Sequence, residues 1–263
     1  MSKIGEENRI IRTENLLWRF LVDYVILTAV FVGGATIFGG GVGMLFRRIS
    51  GGARDAMLSF AAGVMLSAAI IGLILPSLEG GVFVAVTGIF LGAILVNLLD
   101  LPLPYLMRGR KRCDDRFRRV MLFVMAIALH NLPEGIAAGV GLGTGDVGSA
   151  VMIATAIAMQ NIPEGIIVTV SLRTVGVGRF KACLISALTG VIEILGTLFG
   201  YFAVSVSSAL LPLILSLAGG TMLYVISEEM IPESHSSGGR APTYFLLLGF
   251  CFMLFLNALL QNL

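Results

Sequence analysis

About eight runs of apolar residues, each of roughly 18 or more, follow one another along this chain. They fall at roughly 24–46, 56–78, 82–107, 119–141, 149–172, 182–205, 209–230 and 243–262. Each is long enough to cross a hydrocarbon core of ~30 Å at ~1.5 Å per helical residue. Few architectures accept such a pattern, because the backbone polar groups of a lipid-embedded segment must be satisfied internally. The expected fold is an all-α integral membrane protein of eight transmembrane helices. Composition agrees: 57% of the 263 residues are hydrophobic and 13% are charged, against about 25% charged in soluble domains.

The breaks between runs are polar or turn-forming, such as Ile49-Ser50-Gly51-Gly52, Glu79-Gly80-Gly81 and Gly143-Thr144-Gly145-Asp146. The weakest is Ser205 to Ser208, which carries no charge; without it, helices 6 and 7 would merge into one overlong span. Residues 1–20 form a polar N-terminal tail, and 21–263 a single transmembrane domain. No small-residue cleavage site follows the first run, so that span is expected to stay in the mature protein. Trp18 and Tyr24 sit where interfacial aromatics anchor a helix.

Of the 18 Lys and Arg residues, Lys3, Arg9, Arg12 and Arg19 lie in the tail. Every other one follows an odd-numbered span, most densely in the loop 108–119. The positive-inside rule places that loop in the cytoplasm and both termini outside a cell membrane crossed many times, with the basic tail as the contrary signal. The loop reads as a topology determinant, so no nucleic-acid partner is expected. Cys113, Cys183 and Cys251 form neither a disulfide framework nor a zinc-finger spacing.

An ionised side chain at the bilayer centre costs at least ~2.5–3.5 kcal/mol, so each one needs a reason. Helix 4 carries His130, Asn131 and Glu134; helix 5 carries Gln160, Asn161 and Glu164; helix 6 carries Glu193. All lie near the middle of their runs. His130 and Glu134, four apart, share a helix face, and Gln160 and Glu164 repeat the arrangement. Asn131 and Asn161 lie about 100° around and can flank the same cavity. Three carboxylates converging at one depth repel unless protons or a cation neutralise them. Pro133 and Pro163 are expected to kink their helices beside these groups. Imidazole, carboxylate and amide oxygen suit Zn(II), Fe(II), Mn(II) or Cd(II) better than Cu(I). Intramembrane Asn and Gln often only join helices together, but here two near copies coincide in depth with a third carboxylate. Asp100 on helix 3 and Glu228, Glu229, Glu233 and His235 at the end of helix 7 fall toward the cytoplasmic face, as an acidic exit route or as a solvated rim.

The segments His130-Asn131-Leu132-Pro133-Glu134-Gly135 and Gln160-Asn161-Ile162-Pro163-Glu164-Gly165 resemble the paired signatures of the ZIP (Zrt-, Irt-like) family of divalent-metal transporters. The resemblance extends to Ala62-Gly63-Val64-Met65-Leu66-Ser67 and to Ser227-Glu228-Glu229-Met230-Ile231-Pro232-Glu233. It implies a ZIP-like bundle with both termini outside, commonly a homodimer, taking metal into the cytoplasm through a two-metal site. One ion would be held by His130, Glu134, Gln160, Glu164 and Glu193, with Met65 as a further ligand. The second would use Asn131, Glu134, Asn161, Glu164 and Glu193. Gln160 stands where many members have histidine, which implies a weaker or less zinc-selective first site. Asn161 stands where some have a carboxylate.

The expected activity is secondary transport of divalent transition metals, zinc first, with no enzymatic reaction and no prosthetic group. The near-repeat on antiparallel helices 4 and 5 gives the bundle the inverted-repeat character of alternating-access carriers. Metal ligands must be deprotonated, so transport should weaken at low pH. No nucleotide-binding G-x-x-x-x-G-K motif is present, which argues against ATP-driven pumping. A metal-selective channel of the same fold is the main alternative. An intramembrane metalloenzyme is a weaker one, because His130 and His235 are the only histidines and form no H-E-x-x-H motif.

Overall fold

The computed structural model describes residues 24–101, 115–206 and 208–260. The tail 1–20 with Trp18, and residues 108–114 with Cys113, lie outside them. Among the described residues eight helices are long and apolar enough to span a membrane: α1 Tyr24–Gly43, α2 Gly51–Gly80, α3 Val82–Asp100, α4 Asp115–Gly143, α5 Val147–Thr174, α6 Arg179–Ser205, α7 Leu211–Ser234 and α8 Ala241–Leu260. No strand occurs among these residues.

Several helices begin before their apolar runs because local capping extends them. Ser50 Oγ accepts from Ala53 N at 3.2 Å and caps the start of α2, so Arg54 and Asp55 are helical. Asp146 accepts from Gly148 N and Ser149 N and starts α5. α4 begins at Asp115, so Arg116, Arg118 and Arg119 belong to a helix rather than to the expected loop. α1 ends at Gly43 instead of 46. The Arg173 guanidinium at the end of α5 donates to Met44 O at 2.8 Å and to Phe46 O, satisfying carbonyls just past that end. The uncharged break between helices 6 and 7 is real. A short 3₁₀ turn, Ser208–Leu210, precedes α7, whose first turn holds Pro212. Proline suits that position because a first-turn amide has no helical acceptor.

The helices fall into two groups. α4 packs along α6, with α1 and α5 beside them; α3 packs along α7 and α2 along α8. The groups meet mainly where α2 crosses α5 and α4 crosses α7. Within each group backbones come into contact. A Cβ on Gly135 of α4 would stand 2.2 Å from the carbonyl oxygen of Glu193 on α6, and one on Gly63 of α2 would stand 1.9 Å from Leu246 O on α8. Only glycine permits such crossings, which replace side-chain interdigitation as the cohesive contact between membrane helices. An apolar cluster including Met65, Ile153, Ile157, Met222 and Met253 fills the space between the groups.

Pro133 and Pro163 do not interrupt α4 and α5, which remain α-helical through both. The departures from α-geometry lie elsewhere, in π-helical segments at Ala68–Ile74 of α2 and Ile226–Met230 of α7. Each ends two residues before a proline, Pro76 and Pro232 respectively. A proline ring collides with the carbonyl four residues earlier and offers that carbonyl no N–H. Widening the preceding turn relieves both problems. The π-helical widening therefore precedes prolines other than those beside the polar signatures.

Candidate metal centre

The two near-repeated signatures and Glu193 meet inside the first helix group. Asn131, Gln160, Asn161 and Glu193 are fully buried, and His130, Glu134 and Glu164 are at most 5% exposed. Glu134, Glu164 and Glu193 lie within electrostatic reach of one another, and Gln160 lies beside Glu134. α4 and α6 bring Glu134 and Glu193 together because Gly135 lets the backbones touch. α5 supplies Asn161, whose Nδ2 donates to Glu193 Oε1 and, at 3.1 Å, to Val32 O of α1. The other Glu193 oxygen accepts from Thr36 Oγ1 of α1 at 3.0 Å. α1 thus contributes a donor, Thr36, that the sequence did not single out. A lone threonine in an apolar run carries no signal, because its hydroxyl can always return to its own backbone.

The rest of the cluster has few protein partners. Nε2 of His130, Nδ2 and Oδ1 of Asn131, Oε2 of Glu134, both amide atoms of Gln160, and Oδ1 of Asn161 are buried without a hydrogen bond. Buried polar atoms are ordinarily satisfied, and leaving one unsatisfied costs about 1–3 kcal/mol. Such a concentration on two half-turns is what a hydrated or cation-filled centre requires and what packing alone would remove. The donors are imidazole nitrogen and carboxylate and amide oxygens, the borderline-to-hard set that fits Zn(II) and its neighbours.

A cavity of about 310 Å³ reaches this centre. It is lined by His130, Glu134 and Glu164 at its deep end and by Glu228, Glu229 and Glu233 of α7 toward the end of the bundle that carries the α7–α8 turn. Glu229, expected toward the cytoplasmic face in an exit route or a solvated rim, meets the centre: its Oε1 lies 2.8 Å from His130 Nε2. That approach lacks the angle of a hydrogen bond, since Nε2 remains without one. Asp100 completes the group, with one ligand atom each from Asp100, His130 and Glu229 within 4.8 Å of one another. The wide π turn Ile226–Met230 carries Glu229, and Ile231-Pro232 was the sequence signal for that turn.

The remaining expected residues divide. Met65 is fully buried in the apolar cluster and does not line the cavity. Glu228 is exposed at the cavity wall. His235 lies past the end of α7, its Nδ1 2.9 Å from Ile231 O, and it does not line the cavity. Asp55, on no sequence list of site residues, is 1% exposed at the start of α2 and accepts from Ser237 N at 3.0 Å.

Eight spanning helices around a buried cluster of carboxyl, imidazole and amide groups define a multi-pass membrane protein with a polar centre suited to a cation. Residues 106–257 match the family model described as ZIP Zinc transporter. The chain is 38% identical over 256 residues to the zinc transporter ZIPB of Bordetella bronchiseptica, covering 92% of this chain and 83% of that protein. It is 41% identical over 174 residues to the zinc transporter GufA of Myxococcus xanthus, covering 65% and 68%. It is 30% identical over 251 residues to the zinc transporter ZupT of Chlorobium chlorochromatii, covering 86% and 91%. The chain belongs to the ZIP zinc transporter family.

Proposed function

We propose that this protein is a secondary transporter that carries divalent transition-metal ions, zinc first and with Cd, Fe and Mn as further cargo, into the cytoplasm across the cell membrane. The observation that carries this reading is the concentration of buried donor atoms without a hydrogen bond on α4 and α5 beside three carboxyls. Imidazole, carboxylate and amide groups together supply the donor set of a divalent ion. The zinc transporters ZIPB, GufA and ZupT support the same cargo.

The ion sheds part of its hydration at the centre and exchanges water for His130, Glu134, Gln160 and Glu164. Asn131 and Asn161 serve a second ion, with Glu134, Glu164 and Glu193 shared between the two ions. The cation's charge removes the mutual repulsion of the carboxyls, which favours a compact arrangement around it. The first helix group, joined internally by backbone contacts, then slides or rocks against the second. Release follows the acidic wall past Asp100, Glu229 and Glu228. On this reading the cavity is that of an inward-open state, and the basic residues of α2, α4 and α6 support a cytoplasmic position for it. This orientation puts both termini outside. The protein works as a homodimer.

Zinc and cadmium uptake into sealed proteoliposomes tests the proposal. Saturable, temperature-steep uptake by the wild type, abolished in Glu134→Ala and Glu164→Ala proteins that remain folded and inserted, is the expected result. Unchanged flux in both variants would remove the centre from the path, and metal binding without flux would leave a sensor rather than a carrier. Flux that rises linearly with concentration would favour a channel.

A further inference from the structure

The cavity wall on α7 raises a problem that its chemistry must solve. Glu229 and Glu233 are four residues apart and line the same cavity. Two carboxylates on one cavity wall offer donors to any divalent ion that leaves the centre. A conducting path must bind ions firmly enough to admit them and weakly enough to let them go. Glu229 is already close to His130, at 2.8 Å. Glu233 is engaged as well, by Arg54 of α2, whose Nη1 lies 3.1 Å from Glu233 Oε1.

Arg54 is held in place from behind. Its Nη2 donates to Ser236 Oγ and lies 3.5 Å from Asp55 Oδ1. Asp55 is buried and fixed in turn by the Ser237 N–H of the α7–α8 turn, at 3.0 Å. Arg54 therefore keeps an anchor when it lets Glu233 go. Its pair with Glu233 is about one-third exposed on each side, at 33% and 38%, and pairs of that exposure are weak, ~0–1 kcal/mol. An arriving dication can displace the guanidinium, and the anchored guanidinium can displace the ion in its turn.

We propose that Arg54 is a positioning residue for release: by occupying Glu233 it prevents the Glu229–Glu233 pair from retaining the ion at the mouth of the cavity. The inference rests on the transport reading above. It assigns a role to a basic residue that the sequence offered only as a marker of topology. The guanidinium lowers the depth of the well at the mouth and leaves the attractive wall of Glu228 and Glu229 intact. Without it, Glu233 becomes available to chelate with Glu229, and the ion dwells there.

The test is a double-variant cycle on Arg54→Gln and Glu233→Gln, read by zinc uptake into proteoliposomes and by cadmium binding to the same proteins in detergent. Arg54→Gln is expected to lower both KM and the maximal rate and to tighten cadmium binding, by about three- to fivefold each, the range set by a pair of ~1 kcal/mol. In the Glu233→Gln background the Arg54→Gln change should have no further effect on either readout. A raised KM in Arg54→Gln, or an equal loss in both backgrounds, would overturn the proposal and reduce Arg54 to a structural tie between α2 and the α7–α8 turn. The cycle on cadmium binding reads the retained ion even if the wild type shows no flux. Failure of transport and failure of this role are therefore separate results.

Discussion

His130 and Glu229 approach to 2.8 Å across two helices that belong to different packing groups. One lies in the first polar signature and the other on a π turn at the far end of α7. The contact joins the buried centre to the acidic wall of the cavity, so the two are continuous. It also crosses the boundary at which the two helix groups would move.

On the proposed transport reading Glu229 serves the path after the centre, so its neutralisation should slow transport without ending it. Glu229→Gln is expected to keep saturable zinc uptake at a rate lowered by about tenfold or less, the ~1.4 kcal/mol of one modest charge contact. Glu134→Ala should leave none. Initial uptake rates at saturating zinc separate the two, and equal loss in both variants would place Glu229 within the centre itself.

Thr36 holds one oxygen of Glu193 at 3.0 Å, and Asn161 holds the other. Thr36→Val keeps the shape and removes the donor, leaving a buried carboxyl oxygen unsatisfied at a cost of about 1–3 kcal/mol. The variant should unfold at lower temperature in detergent and bind cadmium less well, while Thr36→Ser should recover both properties. A Thr36→Val protein with wild-type melting and binding would show that the hydroxyl does not position Glu193.

Gly135 is one of the glycine contacts that bring α4 against α6 beside Glu134 and Glu193. A Cβ there would lie 2.2 Å from backbone oxygen, which cannot rotate away as a side chain would. Gly135→Ala should destabilise the protein by at least ~1–3 kcal/mol, the usual cost of forcing extra atoms into a packed interior. It should also reduce metal binding in the fraction that folds, as read by thermal unfolding and cadmium titration.

Asp146 caps α5 outside the spans, and its carboxyl is held below the ordinary carboxylate value, first by the Ser149 hydroxyl and then by the Ser149 and Gly148 amides. A depressed folded value means that the cap stabilises the protein above the unfolded carboxylate range near pH ~4 and loses that stabilisation as pH falls through the folded value. Asp146→Ala should cost on the order of 1 kcal/mol at neutral pH. The difference in melting temperature between wild type and variant should shrink as pH drops below about 4. A difference that stays constant to lower pH would mean that the ionised cap contributes nothing.

Sequence alone determined the number of helices, the depth of the polar residues within them and the family. These are local properties. An apolar run either reaches across a bilayer or does not, and His130 and Glu134 share a face because a helix turns about 100° per residue. The depth of Glu193 was legible in the same way. Tertiary structure decided which groups touch. Thr36 on Glu193, Glu229 and Asp100 beside His130, and Arg54 on Glu233 all join residues far apart in sequence. No periodicity within a single helix fixes a contact made by the rotation and close approach of two. The prolines show the same divide. Pro76, Pro133, Pro163 and Pro232 all fall inside spans beyond the first turn. Only Pro76 and Pro232 follow a widened turn, and the π turn before Pro232 carries Glu229 to the centre.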